Sequence, residues 1–407
     1  MVKLLIIISL LAGQSAEWRD VAGALSAKHE DEATVVVECA DPTNSLEVLR
    51  RERPRYVAFV MQPDELNRDV AIKLHEIVRD VDDDPFDDAI WGVVTGPTAA
   101  DALRIASSRE PAELRSMLAT TGVDKDVVPG PVTVLSDAFP KGEWWQKDES
   151  GNVSLHSTIG EMVSAFIDAW NTIDPDILLT SSHATEHNLE MPFSRGMIVT
   201  SPEGGDLRFV GSTIVRMPGE RERVACESSD VPAAKPAVRE KVWLAAGNCL
   251  IANHLDDHDM VMTALSFGKV NQFVGYIEKT WFGFVGWNTW GFFKDGAPLN
   301  ESYYAANQWL AAKLAMDDFR GDIELKGLLW DRNATLFYGD PMQKVSLPSR
   351  PEEDEKSASH RRRKHIVIHP SSASRTEYSD APHGCKVSVA EDGRKTIAAD
   401  DFTLVLP

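Results

Sequence analysis

Short apolar runs bounded by turn residues alternate along this chain with longer segments whose apolar positions recur every three to four residues, the pattern of strands alternating with helices. The first run, KLLIIIS at residues 3–9, reads as a strand. A helix from Ser15 to His29 follows, with Trp18, Val21, Ala22 and Leu25 on one face, and then a strand from Thr34 to Cys39. Strands at Tyr56–Met61 and Ile90–Thr95 flank an amphipathic helix at Asn67–Val78, which ends in the acidic run Asp80–Asp84. Ala99–Ser107 reads as a helix entered through the Gly96–Pro97 turn, and Val132–Leu135 as a short strand. The polar segment Lys141–Asn152 then reads as a junction.

The alternation resumes with a helix at Ile159–Trp170 and an apolar run from Asp176 that ends in small residues at His183. Arg195–Ser201 and Leu207–Arg216, separated by Gly204–Gly205, read as an inserted hairpin, and Glu220–Glu240 as a charged loop. Lys241–Asn253 (KVWLAAGNCLIAN) opens as a buried strand, turns at Gly247–Asn248 and delivers Cys249. A helix at Asp259–Phe267, a strand at Val270–Ile277, a helix at Ser302–Leu314 and a closing segment at Leu336–Pro341 follow. Between them, the aromatic cluster Thr280–Phe293 alternates with Gly and Asn, which suits a loop walling a pocket. The fold class is therefore α/β with mostly parallel sheets, in two subdomains at residues 1–150 and 151–345. A charged linker at 346–364, acidic and then basic, leads to a short β-rich tail at 365–407.

Composition narrows the function classes. At 407 residues the chain exceeds one comfortable core, and 43% hydrophobic residues supply ample material to bury. A formal charge of −21 argues against nucleic acid or an anionic membrane surface as partners. Residues 1–16 resemble a secretory signal, yet the same residues supply the strand that the next helix requires; on that reading the cytoplasm is slightly favoured over secretion. No other segment is long and apolar enough to span a membrane. Cys39, Cys226, Cys249 and Cys385 are widely spaced, which fits neither a disulfide scaffold nor a Cys-rich zinc site, and no cofactor is expected.

The candidate chemistry is a pair. In parallel α/β sheets, ligands and reactions sit at the carboxyl ends of strands. One strand ending in His183 and another ending in Cys249 would bring a base and a nucleophile to one rim. Taken alone, each residue has a plainer reading: a strand-end Cys as a small buried hydrophobe, a His after two serines as a turn residue. Glu186 is equally an orienting partner for the imidazole or a solvated loop residue. The spacing also admits a metal site, because His183/His187 and His254/His258 each stand four apart, with Asp256 and Asp259 as oxygen donors; that requires the segments to be helical.

Three features resemble the gingipain-type cysteine peptidases of the wider caspase-like clan: His183 within TSSHATE, Cys249 within LAAGNC, and Gly339-Asp340-Pro341 near the end of the α/β region. The resemblance extends over roughly residues 1–345 and implies two caspase-like subdomains, the second holding a Cys/His dyad that hydrolyses a peptide or protein substrate. It implies His183 as general base and acid, Cys249 as nucleophile, and the backbone N–H groups of Ala184 and Cys249 as an oxyanion site, with Ala184 standing where relatives have glycine. Trp281 and Trp287 are the expected walls of the substrate pocket, since the strand before them should emerge on the Cys249 rim. An inactive caspase-like interaction module is the remaining alternative.

Overall fold

The computed structural model describes residues 4–10, 16–109, 114–140, 142–157, 162–194, 196–201, 208–216, 223–227, 233–316, 319–348, 386–389, 395–399 and 402–406. Strand β1 (Leu4–Leu10) is followed by α1 (Ala16–Lys28), β2 (Ala33–Cys39), α2 (Leu46–Glu52) and β3 (Tyr56–Val60). Then come α3 (Arg68–Arg79), β4 (Ile90–Val94), α4 (Ala99–Ser107), β5 (Met117–Ala119) and β6 (Val132–Leu135). The middle of the chain forms β7 (Glu143–Lys147), β8 (Val153–Ser157), α5 (Met162–Ile173) and β9 (Ile177–Thr180). Strands β10 (Asn188–Glu190), β11 (Met197–Ser201), β12 (Arg208–Arg216) and β13 (Arg223–Glu227) follow, then β14 (Lys241–Ala245), α6 (Met260–Leu265) and β15 (Val270–Tyr276). Helices α7 (Phe284–Lys294), α8 (Leu299–Ala315) and α9 (Gly321–Asp331) precede β16 (Thr335–Tyr338), and the tail carries β17 (Lys386–Val389), β18 (Lys395–Ala399) and β19 (Phe402–Leu406).

Twelve strands form one sheet in the order β2-β1-β3-β4-β16-β15-β14-β9-β5-β6-β7-β8. The α/β class with a mostly parallel sheet is thus as the sequence indicates, and the expected division at residue 150 does not coincide with a gap in the sheet. Strands β5 and β6, from the first 150 residues, pair beside β9 in the second unit. Strand β16 runs parallel to β4 and antiparallel to β15, so the strand sense reverses there. Strand β1 lies between β2 and β3, with Leu5 to Ile8 fully buried. Removing this run would open the sheet.

Local chemistry explains most boundaries. Helix α3 starts where the Asn67 side chain accepts the Val70 amide, and α4 where Thr98 accepts the Asp101 amide. The buried face of α1 is Trp18, Val21, Ala22 and Leu25. The central strands β3, β4, β9, β14 and β15 are buried on both faces; β3 and β4 carry no charged or hydrogen-bonding side chain but Tyr56 and Trp91, while β15 buries Asn271 and Gln272 among its apolar residues.

Several expectations are corrected. The polar segment Lys141–Asn152, expected as connecting chain, holds β7 and the turn after it, the first half of an edge hairpin that β8 completes; these partly exposed strands lack an apolar run to announce them. The charged loop at 220–240 contains β13, part of a four-stranded antiparallel sheet with β10, β11 and β12. The aromatic cluster is largely helix α7, not a loop: Val285, Thr289, Trp290, Phe292 and Phe293 are buried at helical spacing. Helix α9 had no counterpart in the sequence reading. In the tail, β17–β19 form a three-stranded antiparallel sheet; the expected strand at 365–370 and linker positions 349–364 lie outside the described residues.

Asp340, within the Gly-Asp-Pro motif, ties α1 to the end of β16. Its buried carboxylate lies 2.7 Å from both Lys28 Nζ and His29 Nε2 and accepts the Met342 amide at 2.9 Å. Burial would raise its pKa, but the His29 hydrogen bond and the Lys28 charge bring it down to about 2. Gly339 precedes it at φ +132°, where a Cβ would collide with the Asn271 carbonyl. The motif is structural here, and it stands at the rim opposite Thr280, because β16 is antiparallel to β15 with Tyr338 beside Phe273.

Candidate active site

The site is built at the carboxyl ends of β9 and β14. These strands are parallel neighbours and end in step, Thr180 opposite Ala245. His183 stands three residues beyond the first end and Cys249 four beyond the second. Asn248, fully buried, joins the two loops. Its carbonyl accepts from the Thr180 hydroxyl at 2.6 Å, and its NH₂ group donates to the Ser182 carbonyl at 3.0 Å and the Ser182 hydroxyl at 3.1 Å. Trp243 Nε1, in turn, donates to the Thr180 hydroxyl at 2.9 Å. One side-chain amide therefore fixes both loops to each other.

Cys249 is partly buried, and its Sγ accepts the Thr280 amide at 3.2 Å. Thr280 follows β15, whose carboxyl end emerges on the same rim because β15 is parallel to β14. The next residue, Leu250, has φ +59°, and its amide donates to the Glu278 carbonyl at 3.1 Å. A left-handed leucine costs roughly 1–2 kcal/mol, and such outliers cluster at functional turns. Cys39, by contrast, is a buried free thiol, and that burial pushes its pKa up.

His183 is exposed. Ala184 pairs with Leu189 as an isolated antiparallel bridge, whose hydrogen bonds run from Glu190 to the His183 carbonyl and from Thr185 to the Asn188 carbonyl. This non-hydrogen-bonded register leaves the Ala184 amide outside the ladder. Among the described residues, neither the Ala184 nor the Cys249 amide donates to a protein acceptor. The thiol's partner is Thr280 rather than His183. Glu186 accepts from Asn253 at 2.9 Å and lies 3.8 Å from Arg68, so its carboxylate is engaged away from the imidazole.

Trp281 and Trp287 are 54% and 40% exposed, in contrast to the buried aromatic residues of α7. Gly286 lies so close to the Ala246 carbonyl that a Cβ there would collide with it; the first turn of α7 is pressed against the Cys249 loop. Trp287 Nε1 is 3.6 Å from where a Cβ on Gly247 would stand, which places Trp287 at the rim. Trp281 directly follows the residue that holds the thiol. Asp331 anchors the α7 start: it accepts from the Val285 amide at 2.8 Å and the Tyr276 hydroxyl at 3.2 Å, and that hydroxyl accepts the Gly286 amide at 3.1 Å. Burial pushes Asp331 up to about 6, against the opposing pull of these donors.

The helical spacing behind the metal alternative is absent. Residues 181–187 and 253–258 are loops and turns. His187 pairs with Asp256 at 2.9 Å and His254 with Asp259 at 2.7 Å, while Asp259 also caps α6 through the Met262 amide. Among the described residues no three His, Cys, Asp or Glu side chains converge as metal ligands.

Sequence reasoning singled out His183, Ala184, Cys249, Trp281 and Trp287 but passed over Asn248, Tyr276, Thr280 and Asp331. Asn248, adjacent to Cys249, was within reach of a search for small polar residues beside the nucleophile. Asp331 carries no local signal, since its role arises from packing against α7. Comparison of the chain with models of protein families and with curated proteins gives no match.

Proposed function

We propose that this chain is a cysteine endopeptidase of the gingipain type, with Cys249 as nucleophile and His183 as general base and acid. The observation that carries the proposal is the placement of these two residues just beyond the ends of neighbouring parallel strands, Thr180 in step with Ala245, with Asn248 binding the two loops together. A free thiol is only a few per cent ionised at neutral pH, so an imidazole at hand is what makes the thiolate available. The thiol meets Thr280 rather than His183, and catalytic hydrogen bonds commonly tighten only once substrate is seated.

The reaction runs as follows. The Cys249 thiolate adds to the scissile carbonyl carbon, forming a C–S bond while the carbonyl π pair moves onto oxygen. The Cys249 and Ala184 amides receive that oxyanion, each donor being worth roughly 2.7–4 kcal/mol in such sites. Imidazolium His183 gives its proton to the amide nitrogen, the C–N bond breaks and the amine departs. Water, deprotonated by His183, then adds to the thioester carbonyl, the C–S bond breaks to return the thiolate beside the imidazolium, and the carboxylic acid product leaves and loses its proton to solvent. Trp281 and Trp287 flank the substrate side chain next to the scissile bond.

Peptide-library cleavage by the wild type and by Cys249→Ala, alongside iodoacetamide labelling, tests the reading. Hydrolysis by the wild type alone, with Cys249 alkylated ahead of Cys39, supports it. Hydrolysis surviving in Cys249→Ala, or blocked by a chelator instead of by iodoacetamide, sinks it; full inertness of the wild type returns the interaction-module reading. Trp287→Ala should change kcat/KM unevenly among peptides with little change in Tm. A loss of about 3–5 kcal/mol in stability, with all peptides affected alike, would make that indole core instead.

A further inference from the structure

A cavity lies toward the β8 end of the sheet. From β14 to β7 is four strand spacings, roughly 19 Å, so it is separate from the Cys249 rim. Here the face of the edge hairpin β7–β8 and one side of α5 enclose an open cavity of about 750 Å³. On the hairpin side Trp144 and His156 stack with ring centroids 4.0 Å apart and planes at 14°. On the helix side Ser164, Asp168 and Thr172 stand four residues apart and line the cavity as one polar stripe.

Two features of this cavity are unexplained by folding. His156 Nε2 and Thr133 Oγ1 are both buried atoms with no hydrogen-bond partner among the described residues, and both residues line the cavity. Thr133 is 1% exposed, so water does not supply its missing bond at the surface. Unpaired polar atoms of this kind are costly, and a ligand is one thing that satisfies them. The charge is one-sided as well. Asp148, Glu149 and Asp168 line the cavity, and the single lysine there, Lys147, is buried and donates its ammonium to the Val128 carbonyl at 2.6 Å. Asp148 is occupied by its own turn, accepting from Ser150 and Asn152. Asp168 and Glu149 have no ion-pair partner among the described residues.

We propose that this cavity binds a guanidinium or ammonium group. Asp168 supplies the opposing charge, and His156 Nε2 (with its proton on Nδ1), held in place by its stack on Trp144, and Thr133 Oγ1 accept N–H bonds. The same chemistry comes from a free amine or from an Arg or Lys side chain of a polypeptide. The site stands independently of the peptidase reading.

Calorimetric titration of the full chain carrying Cys249→Ala tests the proposal, with agmatine, acetyl-Gly-Arg-Gly-amide and acetyl-Gly-Gln-Gly-amide as probes. Agmatine or the Arg peptide should bind, the Gln peptide should not, and Asp168→Asn should weaken binding about tenfold or more, the scale of one lost charged hydrogen bond. Thr133→Val, similar in shape, should weaken it as well. Tighter binding of agmatine than of the Arg peptide assigns the site to free amines; the reverse order assigns it to basic polypeptide segments. No binding of either cation, equal binding of the Gln peptide, or binding unchanged in both Asp168→Asn and Thr133→Val overturns the proposal. Asp168 is exposed and its carboxylate has no hydrogen-bond or ion-pair partner among the described residues, so its variant remains informative if Thr133→Val fails to fold.

Discussion

Two buried aspartates nine residues apart are held in opposite ways. Asp340, at the end of β16, meets Lys28 and His29, and is held down to about 2. Asp331, below the start of α7, meets only amides and a hydroxyl and is pushed up to about 6, with Oδ1 left unpaired. The first region joins α1 to the sheet, and its carboxylate is matched by two basic side chains. The second supports the rim beside Cys249, where strain and unmet hydrogen bonds remain. What separates the two carboxyls is the partner: a positive charge offsets the desolvation of Asp340, whereas neutral donors offset only part of that of Asp331.

The largest effects should separate activity from stability along this line. Cys249→Ala should bring peptide hydrolysis to background, and His183→Ala should lower kcat by about 10²–10⁴, the usual range for a lost general base. Both should keep Tm nearly unchanged, since His183 is exposed and Cys249 partly so. If His187→Ala were inactive while His183→Ala turned over normally, the dyad assignment would fail.

Asp340→Asn is the reverse case. It leaves the Lys28 ammonium unpaired and 9% exposed, and should cost about 3–5 kcal/mol in denaturant unfolding at pH 7. Because the folded carboxyl is depressed, its contribution is present above the unfolded value near 4 and is lost as pH falls through about 2. A variant as stable as the wild type at pH 7 would show that the ion pair contributes nothing.

Asp331→Asn should behave differently. A raised carboxyl favours the fold below the unfolded value near 4, and that advantage is lost as pH rises through about 6, a swing on the order of 3 kcal/mol from 1.4 per unit. Asn keeps an acceptor for Val285 and carries no charge to desolvate. At pH 8 the variant should therefore be within about 1 kcal/mol of the wild type, or more stable. The difference between the two proteins should change between pH 4 and pH 6.5, and a flat difference across that range would remove the titration from Asp331.

The smallest effect belongs to the strained turn. Leu250→Gly removes the left-handed penalty but adds chain entropy to the unfolded state, for a net gain of about 1 kcal/mol or less. If hydrolysis falls while stability rises, the strain serves the nucleophile's position. Falling stability would show that the Leu250 side chain outweighs its backbone cost.

The strands and helices of the core were legible because their signals are local. Leu5–Ile8 and Val242–Ala245 are unbroken apolar runs because they are buried on both faces, and α1 shows its face through Trp18, Val21, Ala22 and Leu25. The position of Cys249 and His183 just past strand ends was equally local. That these strands are neighbours, parallel and ending in step, was decided only by the assembled sheet, as was the reversal at β16. The edge hairpin β7–β8 stayed hidden because half-exposed strands carry no apolar run, and the glycines of α7 read as loop until Ala246 is placed against Gly286. Asn248, Asp331 and the unmet atoms of Thr133 and His156 draw their meaning from partners far away in the chain, or from the lack of them. Hydrophobic periodicity records what a residue does for its own segment, whereas a hydrogen bond across the fold leaves no mark on the sequence around it.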